Sequence, residues 1–131
     1  MSAIYDFLNE TGVFFLATVD GDRPRLRPLG TYVEMDGKLV FGIGDFKDVY
    51  KQMQKNPYVE IVACKKDGHW LRYSGKAVFE KDNKYAEAIL ADSPQLRVIY
   101  NAESGNKMMC FHLQRATAVD IAVMGEGKSL L

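Results

Sequence analysis

The period of the apolar positions changes several times along this chain. Ile4, Phe7 and Leu8 recur at helical spacing, and Gly12 closes that segment as a C-terminal cap. Val13 to Val19 is an apolar run of aromatic and β-branched residues, which predicts a buried strand. Asp20-Gly21 turns the chain, and Arg25 to Met35 reads as a second strand. Asp36-Gly37 is the strongest hairpin signal, because both positions of a type I′ turn need positive φ. Lys38 to Gly44 is then a third strand, antiparallel to the second.

Asp45 reads as the N-cap of a helix running to Lys55. Asn56-Pro57 ends it, since a residue before proline is pushed out of the α region. Tyr58 to Lys66 alternates as a strand, Asp67-Gly68 repeats the hairpin signal, and His69 to Glu80 is the partner strand. Lys84 to Asp92 predicts a short helix, and Ser93-Pro94 starts another through Tyr100. Two last strands are expected, Lys107 to Leu113 and Ala116 to Val123. From Gly125 onward the polar, glycine-rich residues predict a mobile tail, so residues 1–124 form the expected domain and 125–131 the tail.

Roughly six or seven strands joined by tight hairpins, with short helices inserted, define a mainly β class: an antiparallel barrel of Greek-key type. Repeating βαβ alternation is absent, which excludes a doubly wound sheet. Gly42-Ile43-Gly44 lacks the third glycine and the parallel unit of a dinucleotide fingerprint.

Composition narrows the partners. The chain has 131 residues, one domain's worth, with 17 Lys+Arg against 17 Asp+Glu. Such a balance, with dispersed basic residues, argues against nucleic acid. No run approaches the roughly 20 apolar residues that cross a bilayer, and MSAIYDFLNETG lacks the features of a secretion signal. A cytoplasmic location with no membrane partner is the expectation. Cys64 and Cys110 sit in apolar strand-like runs and read as buried free thiols.

The candidate chemistry lies between Leu16 and Pro57. Arg25 and Arg27 share one face of a strand, because side chains alternate with period two. Lys47 and Lys51 share one helix face at i, i+4 spacing. A helix start beside them supplies unsatisfied N–H groups and the positive end of a dipole. Strand arginine, helix lysine and helix N-terminus together could clamp a phosphate, or be separate solvated surface cations. Elsewhere, His69 reads as a surface histidine and His112 as a core or interface one, and the two do not form a metal motif. No G-x-S-x-G elbow supports a hydrolase. Met53, Met108 and Met109 read as core or interface filler.

LATVDGDRPRLRPLG, then DGKLVFGIGDFKDVYKQMQKNPYVEI, then GHWLRYSGKAVF resembles the pyridoxamine 5′-phosphate oxidase-like family. More narrowly, the chain is similar to the small single-domain members called NimA/NimC-like, over Val13 to Val123. The resemblance implies the FMN-binding split β-barrel and a homodimer holding FMN between protomers. It further implies that Arg27 binds the FMN phosphate, that Pro28 and Leu29 lie along the flavin, that Gly42 and Ile43 form the next strand's contact pair, and that Lys47 is the phosphate-side lysine. Arg25 and Lys51 become supporting or surface residues. Trp70 falls where a neighbouring strand approaches the flavin, or where an aromatic packs at the dimer seam.

Two departures from the family pattern stand out. Related members often carry Thr or Ser where this chain has Ile43, which supplies no hydroxyl to the phosphate. The vitamin B6 oxidases end in a basic segment that binds substrate, whereas this chain ends GEGKSLL. The resemblance therefore implies a flavin-dependent oxidoreductase on an unidentified small molecule, with nitroimidazole reduction suggested by the branch's name. No side chain stands out as acid or base. A carrier or sensor holding flavin or haem without turnover is the alternative, and a deazaflavin-dependent reductase shares the fold.

Overall fold

The computed structural model describes residues 2–131. Helix α1 (Ala3–Thr11) is capped by Ser2, whose hydroxyl accepts from the Tyr5 N–H at 3.1 Å. Gly12, at φ 79°, ends it by donating to the Leu8 carbonyl. The helix buries Ile4, Phe7 and Leu8, the stripe its spacing predicts.

The strands are β1 (Phe14–Asp20), β2 (Arg23–Leu29), β3 (Tyr32–Met35), β4 (Lys38–Gly44), β5 (Tyr58–Cys64), β6 (Trp70–Phe79), β7 (Met108–Ile121) and β8 (Gly127–Ser129). All pairings are antiparallel, in the order β2-β1-β5-β6-β7-β4-β3, with β8 added to β7. β2 and β3 lie at opposite ends of that order, yet only two residues separate them. Leu29 and Tyr32 can therefore stand no more than about 11 Å apart. The sheet has to curl until its ends meet, which makes it a barrel.

This closure corrects one expectation. Arg25 to Met35 is not one strand: the chain breaks at Gly30-Thr31 and changes partner from β1 to β4. Thr31 stitches the break, its carbonyl accepting from the Gly42 N–H at 3.0 Å and its hydroxyl donating to the Gly42 carbonyl at 2.6 Å. Two turns match their sequence signals, with Asp36 and Gly37 at φ 57° and 71° and Gly68 at 95°.

The two final strands are likewise one continuous β7. Its pairing with β6 shifts between Ser74 and Lys76, where Arg115 takes φ 52° as a bulge. The bulge absorbs the irregularity that reads as a loop, and the ladder to β6 continues. The segment from Gly125 onward carries β8, held to β7 from Val119 to Ile121, so it is a sheet element and not only a tail.

Inside the barrel Phe14, Phe41 and Phe111 are fully buried, with Phe41 5.5 Å from each of the other two rings. A second cluster forms where helix α3 (Lys84–Asp92) lays Tyr85, Ala86, Ile89 and Leu90 against Val40, Met108 and Cys110. A short 3₁₀ turn, Pro94–Val98, follows α3. Cys110 is buried as expected, but Cys64 is exposed, because its position on β5 alternates out of phase with Val59, Ile61 and Ala63. Both thiols are free.

Candidate functional site: a cationic groove at the start of α2

Helix α2 (Asp48–Lys55) packs Val49 and Met53 inward and leaves Lys47, Asp48, Lys51 and Gln52 along a groove. Its start differs from expectation. Asp45 is not the N-cap: its backbone N–H donates to the Lys107 carbonyl at 2.9 Å, and its carboxylate accepts from the Lys107 N–H at 3.0 Å. Asp45 is spent tying the end of β4 to the start of β7, so the helix begins two residues later than its sequence predicts. Lys47 occupies the N-cap position, and its side chain makes no capping hydrogen bond. The Tyr50 N–H donates to the Lys47 carbonyl at 3.2 Å, and the N–H groups of Asp48 and Val49 with the positive end of the dipole are left for another acceptor.

The opposite wall is β2. Arg27 pairs with Leu16 and Arg25 with Thr18, and both β1 residues are buried. Arginine and inward β1 side chains share a face, so Arg25 and Arg27 project toward α2. The resulting groove, about 760 Å³, is lined by Asp20, Arg25, Leu26, Arg27, Pro28, Lys47, Asp48, Val49, Lys51 and Gln52. Four cations thus meet two carboxylates in one concavity. One pair is internally satisfied, Arg25 Nε lying 3.1 Å from Asp20 Oδ2.

Arg27 is held by a network that joins three elements. Its Nη1 donates to the Leu16 carbonyl at 3.2 Å and to Thr18 Oγ1 at 2.7 Å, and its Nη2 donates to Gln52 Oε1 at 2.8 Å. Thr18 in turn donates to Gln52 Oε1 at 2.7 Å. Burial lowers the affinity of the guanidinium for its proton, Arg25 adds to that effect, and Asp48 opposes it. An arginine stays charged through such shifts.

The expected site residues divide into three groups. Arg25, Arg27, Pro28, Lys47 and Lys51 line the groove together. Leu29, Gly42 and Ile43 do not: Leu29 packs against the core, Ile43 is buried within it, and Gly42 lies against Met108 and Ile89. Trp70 starts β6 away from the groove, paired with Cys64 and Ile121, with the Arg72 guanidinium 4.9 Å from its ring centre. Thr18 and Gln52 were absent from the sequence expectation. A hydroxyl at the inward parity of Phe14 and Leu16 was the available signal for Thr18, because a buried polar group needs a partner.

A second groove, about 580 Å³, lies between α3 and the start of β7. Leu90, Met108 and Cys110 line it, and none of the expected cofactor residues does. The histidines are engaged elsewhere, His69 Nδ1 with Asp120 Oδ1 and His112 Nδ1 with Glu80 Oε1, each at 2.7 Å. Among the described residues no cluster of His, Cys, Asp and Glu could hold a metal ion. No helix among them is long and apolar enough to cross a membrane.

A curled antiparallel barrel with short helices inserted between its strands defines the class as a split barrel. The family described as "Pyridoxamine 5'-phosphate oxidase" matches residues 1–121, and the chain belongs to that family. Among solved structures it is similar to a NimC/NimA family protein from Clostridium acetobutylicum, at 33% identity over 97% of this chain and 88% of the other, with a TM-score of 0.86. The fold is shared with a pyridoxamine 5'-phosphate oxidase-related, FMN binding protein from Nostoc punctiforme, at 17% identity, covering 97% and 93% of the two chains, with a TM-score of 0.63. It is also shared with a heme binding protein from Mycobacterium smegmatis, at 16% identity, covering 94% and 54%, with a TM-score of 0.71. Comparison with curated proteins gives no match.

Proposed function

We propose that this protein is an FMN-binding flavoprotein, a flavin-dependent oxidoreductase acting on a small molecule. The observation that carries this reading is the meeting of Arg27, Lys47, Lys51 and an uncapped helix start in one groove. A phosphate monoester carries close to two negative charges and three acceptor oxygens at neutral pH. The groove offers complementary charge from Arg27 and Lys47 and backbone N–H donors from the first turn of α2. Arg27 has five N–H donors, of which three are used within the chain, leaving Nε–H and one Nη2–H for the ligand.

The flavin ring itself would supply the electron chemistry, accepting and giving up a hydride equivalent. The chain's part is to bind the phosphate end, to set the ligand's direction along Pro28, and to keep charge balanced. Ile43 contributes nothing polar, being buried in the core, so the cations and helix start carry the phosphate without a hydroxyl there.

We further propose a homodimer. Phe15 and Leu26 stand exposed on the outer sheet face, where Phe15 pairs with Pro28 and Val62 and Leu26 with Ala17. Trp70 and Arg72 continue this face on β6. A second copy covering it would remove apolar area from water directly beside the groove. Haem ligation receives less support, because no histidine, cysteine or methionine among the described residues lines the cationic groove.

The deciding measurement is the visible absorption spectrum of the purified protein after incubation with FMN and gel filtration. Retained flavin bands that bleach with dithionite or a reduced nicotinamide support the oxidoreductase. A colourless protein that ignores FMN overturns the reading, and a Soret band favours the haem carrier. Light scattering tests the dimer.

A further inference from the structure

The geometry assigns Gln52 as a phosphate-contacting residue, its side-chain amide N–H₂ aimed into the cationic groove by hydrogen bonds from Arg27 and Thr18 to its oxygen. This rests on the reading of that groove as the phosphate site.

The two ends of the Gln52 carboxamide are distinguished by what they meet. The atom 2.8 Å from Arg27 Nη2 must be an acceptor, because a guanidinium only donates. It is therefore the Gln52 oxygen, and the usual ambiguity between amide oxygen and nitrogen is removed by chemistry. The same oxygen accepts the Thr18 hydroxyl at 2.7 Å, so both of its lone pairs are spent on the inner wall. Nε2 is the other arm of the same planar group, on a residue that lines the groove. It has no hydrogen-bond partner among the described residues, and it carries two donors.

Its surroundings suit an anion. Lys47, Lys51 and Arg27 line the same concavity, and the amide lies one turn into α2 from the uncapped N-terminus. Thr18, 2% exposed and the buried polar residue among those described, acts behind it as a positioning residue. Its hydroxyl accepts from Arg27 while donating to Gln52, so one group fixes the orientation of both. An arginine, an amide and a helix start thus line one groove, the amide oxygen already satisfied and each of the three retaining donors not used within the chain. Such preorganisation spares the ligand the cost of ordering them.

Two measurements on the full chain test this. In the first, the assigned Gln52 side-chain ¹H–¹⁵N signals are followed by NMR while FMN, and separately riboflavin, is added. Riboflavin lacks the phosphate. The signals are expected to move with FMN and to stay in place with riboflavin. In the second, Gln52→Glu keeps an oxygen for Arg27 and Thr18 but replaces the donor by a negative charge. FMN affinity should fall about tenfold or more, as expected for a lost charge-assisted bond, with riboflavin affinity unchanged. Gln52→Met, similar in length and without an amide, replaces it if the carboxylate disturbs folding, and should give the same selective loss. The inference is overturned if FMN binds without moving the Gln52 signals, if the variants keep wild-type FMN affinity, or if they weaken both ligands equally. A wild-type protein that binds neither ligand overturns the phosphate-site reading itself, and the inference with it.

Discussion

Gly75 sits so close to Gln114 across β6 and β7 that a Cβ on it would lie 2.9 Å from the Gln114 carbonyl oxygen. The Ala116 backbone crowds the same point at 3.2 Å. Backbone on both sides cannot yield as a side chain does, and the β7 bulge at Arg115 is built around this approach. Gly75→Ala should therefore destabilise the fold by about 1–3 kcal/mol. Gly42→Ala should cost less, since its nearest neighbour is the flexible thioether of Met108 at 2.7 Å. Urea unfolding of the two variants checks the order.

Thr18→Val preserves shape but removes the hydroxyl that serves Arg27 and Gln52. A loss of about 1–3 kcal/mol is expected, because buried partners are left unsatisfied. Thr18→Ser, which keeps the hydroxyl, should recover most of it in the same unfolding measurement.

Lys47 lines the groove without an ion-pair partner among the described residues, its ammonium lying 5.9 Å from the Phe46 ring centre. Lys47→Ala should lower FMN affinity about tenfold while leaving the melting temperature nearly unchanged. The wild-type affinity should also fall with added salt, since the groove is open to solvent. Flavin fluorescence quenching reads both effects.

His69 is held by Asp120, whose hydrogen bond raises its proton affinity above the ordinary value, against partial desolvation. A folded-state pKa above the unfolded one means that the pair stabilises fully below about pH 6.5. The contribution is then lost as pH rises through the folded value. The stability difference between wild type and His69→Gln should accordingly be largest in mild acid and vanish at alkaline pH. An NMR titration of the His69 ring should give a midpoint above 6.5; a midpoint at or below it would contradict the pair.

Burial pushes the Cys110 thiol up to about 12, whereas Cys64 is exposed. In a Cys64→Ser variant the remaining thiol should stay inert to a disulfide reagent until denaturant is added. Rapid modification of the native variant would show that the cluster under α3 opens readily.

Local chemistry was legible in the sequence wherever neighbours along the chain decide it. The stripe of α1, the Gly12 cap, the Asp36-Gly37 turn and the alternation of β5 all follow from residues within a few positions of one another. The shared face of Arg25 and Arg27 followed from strand period alone. Errors arose where a distant segment competed. Asp45 has the chemistry of an N-cap, but Lys107 claims its carboxylate from 62 residues away. Arg25 to Met35 has the composition of one strand, but closing the barrel requires β2 and β3 to serve opposite ends of the sheet.

The same division holds for the groove. The sequence by itself determined which cations were available and that a helix start lay near them, because periodicity and capping are local. Only the tertiary structure decided that β2 and α2 face one another. β1 carries β2 beside α2, so Arg27 meets Thr18 across one ladder and Gln52 across a packed interface. No spacing rule encodes a contact between residues 25 positions apart on different elements. That contact exists because the barrel must close over Phe14, Phe41 and Phe111, and the groove is what closure leaves at its rim.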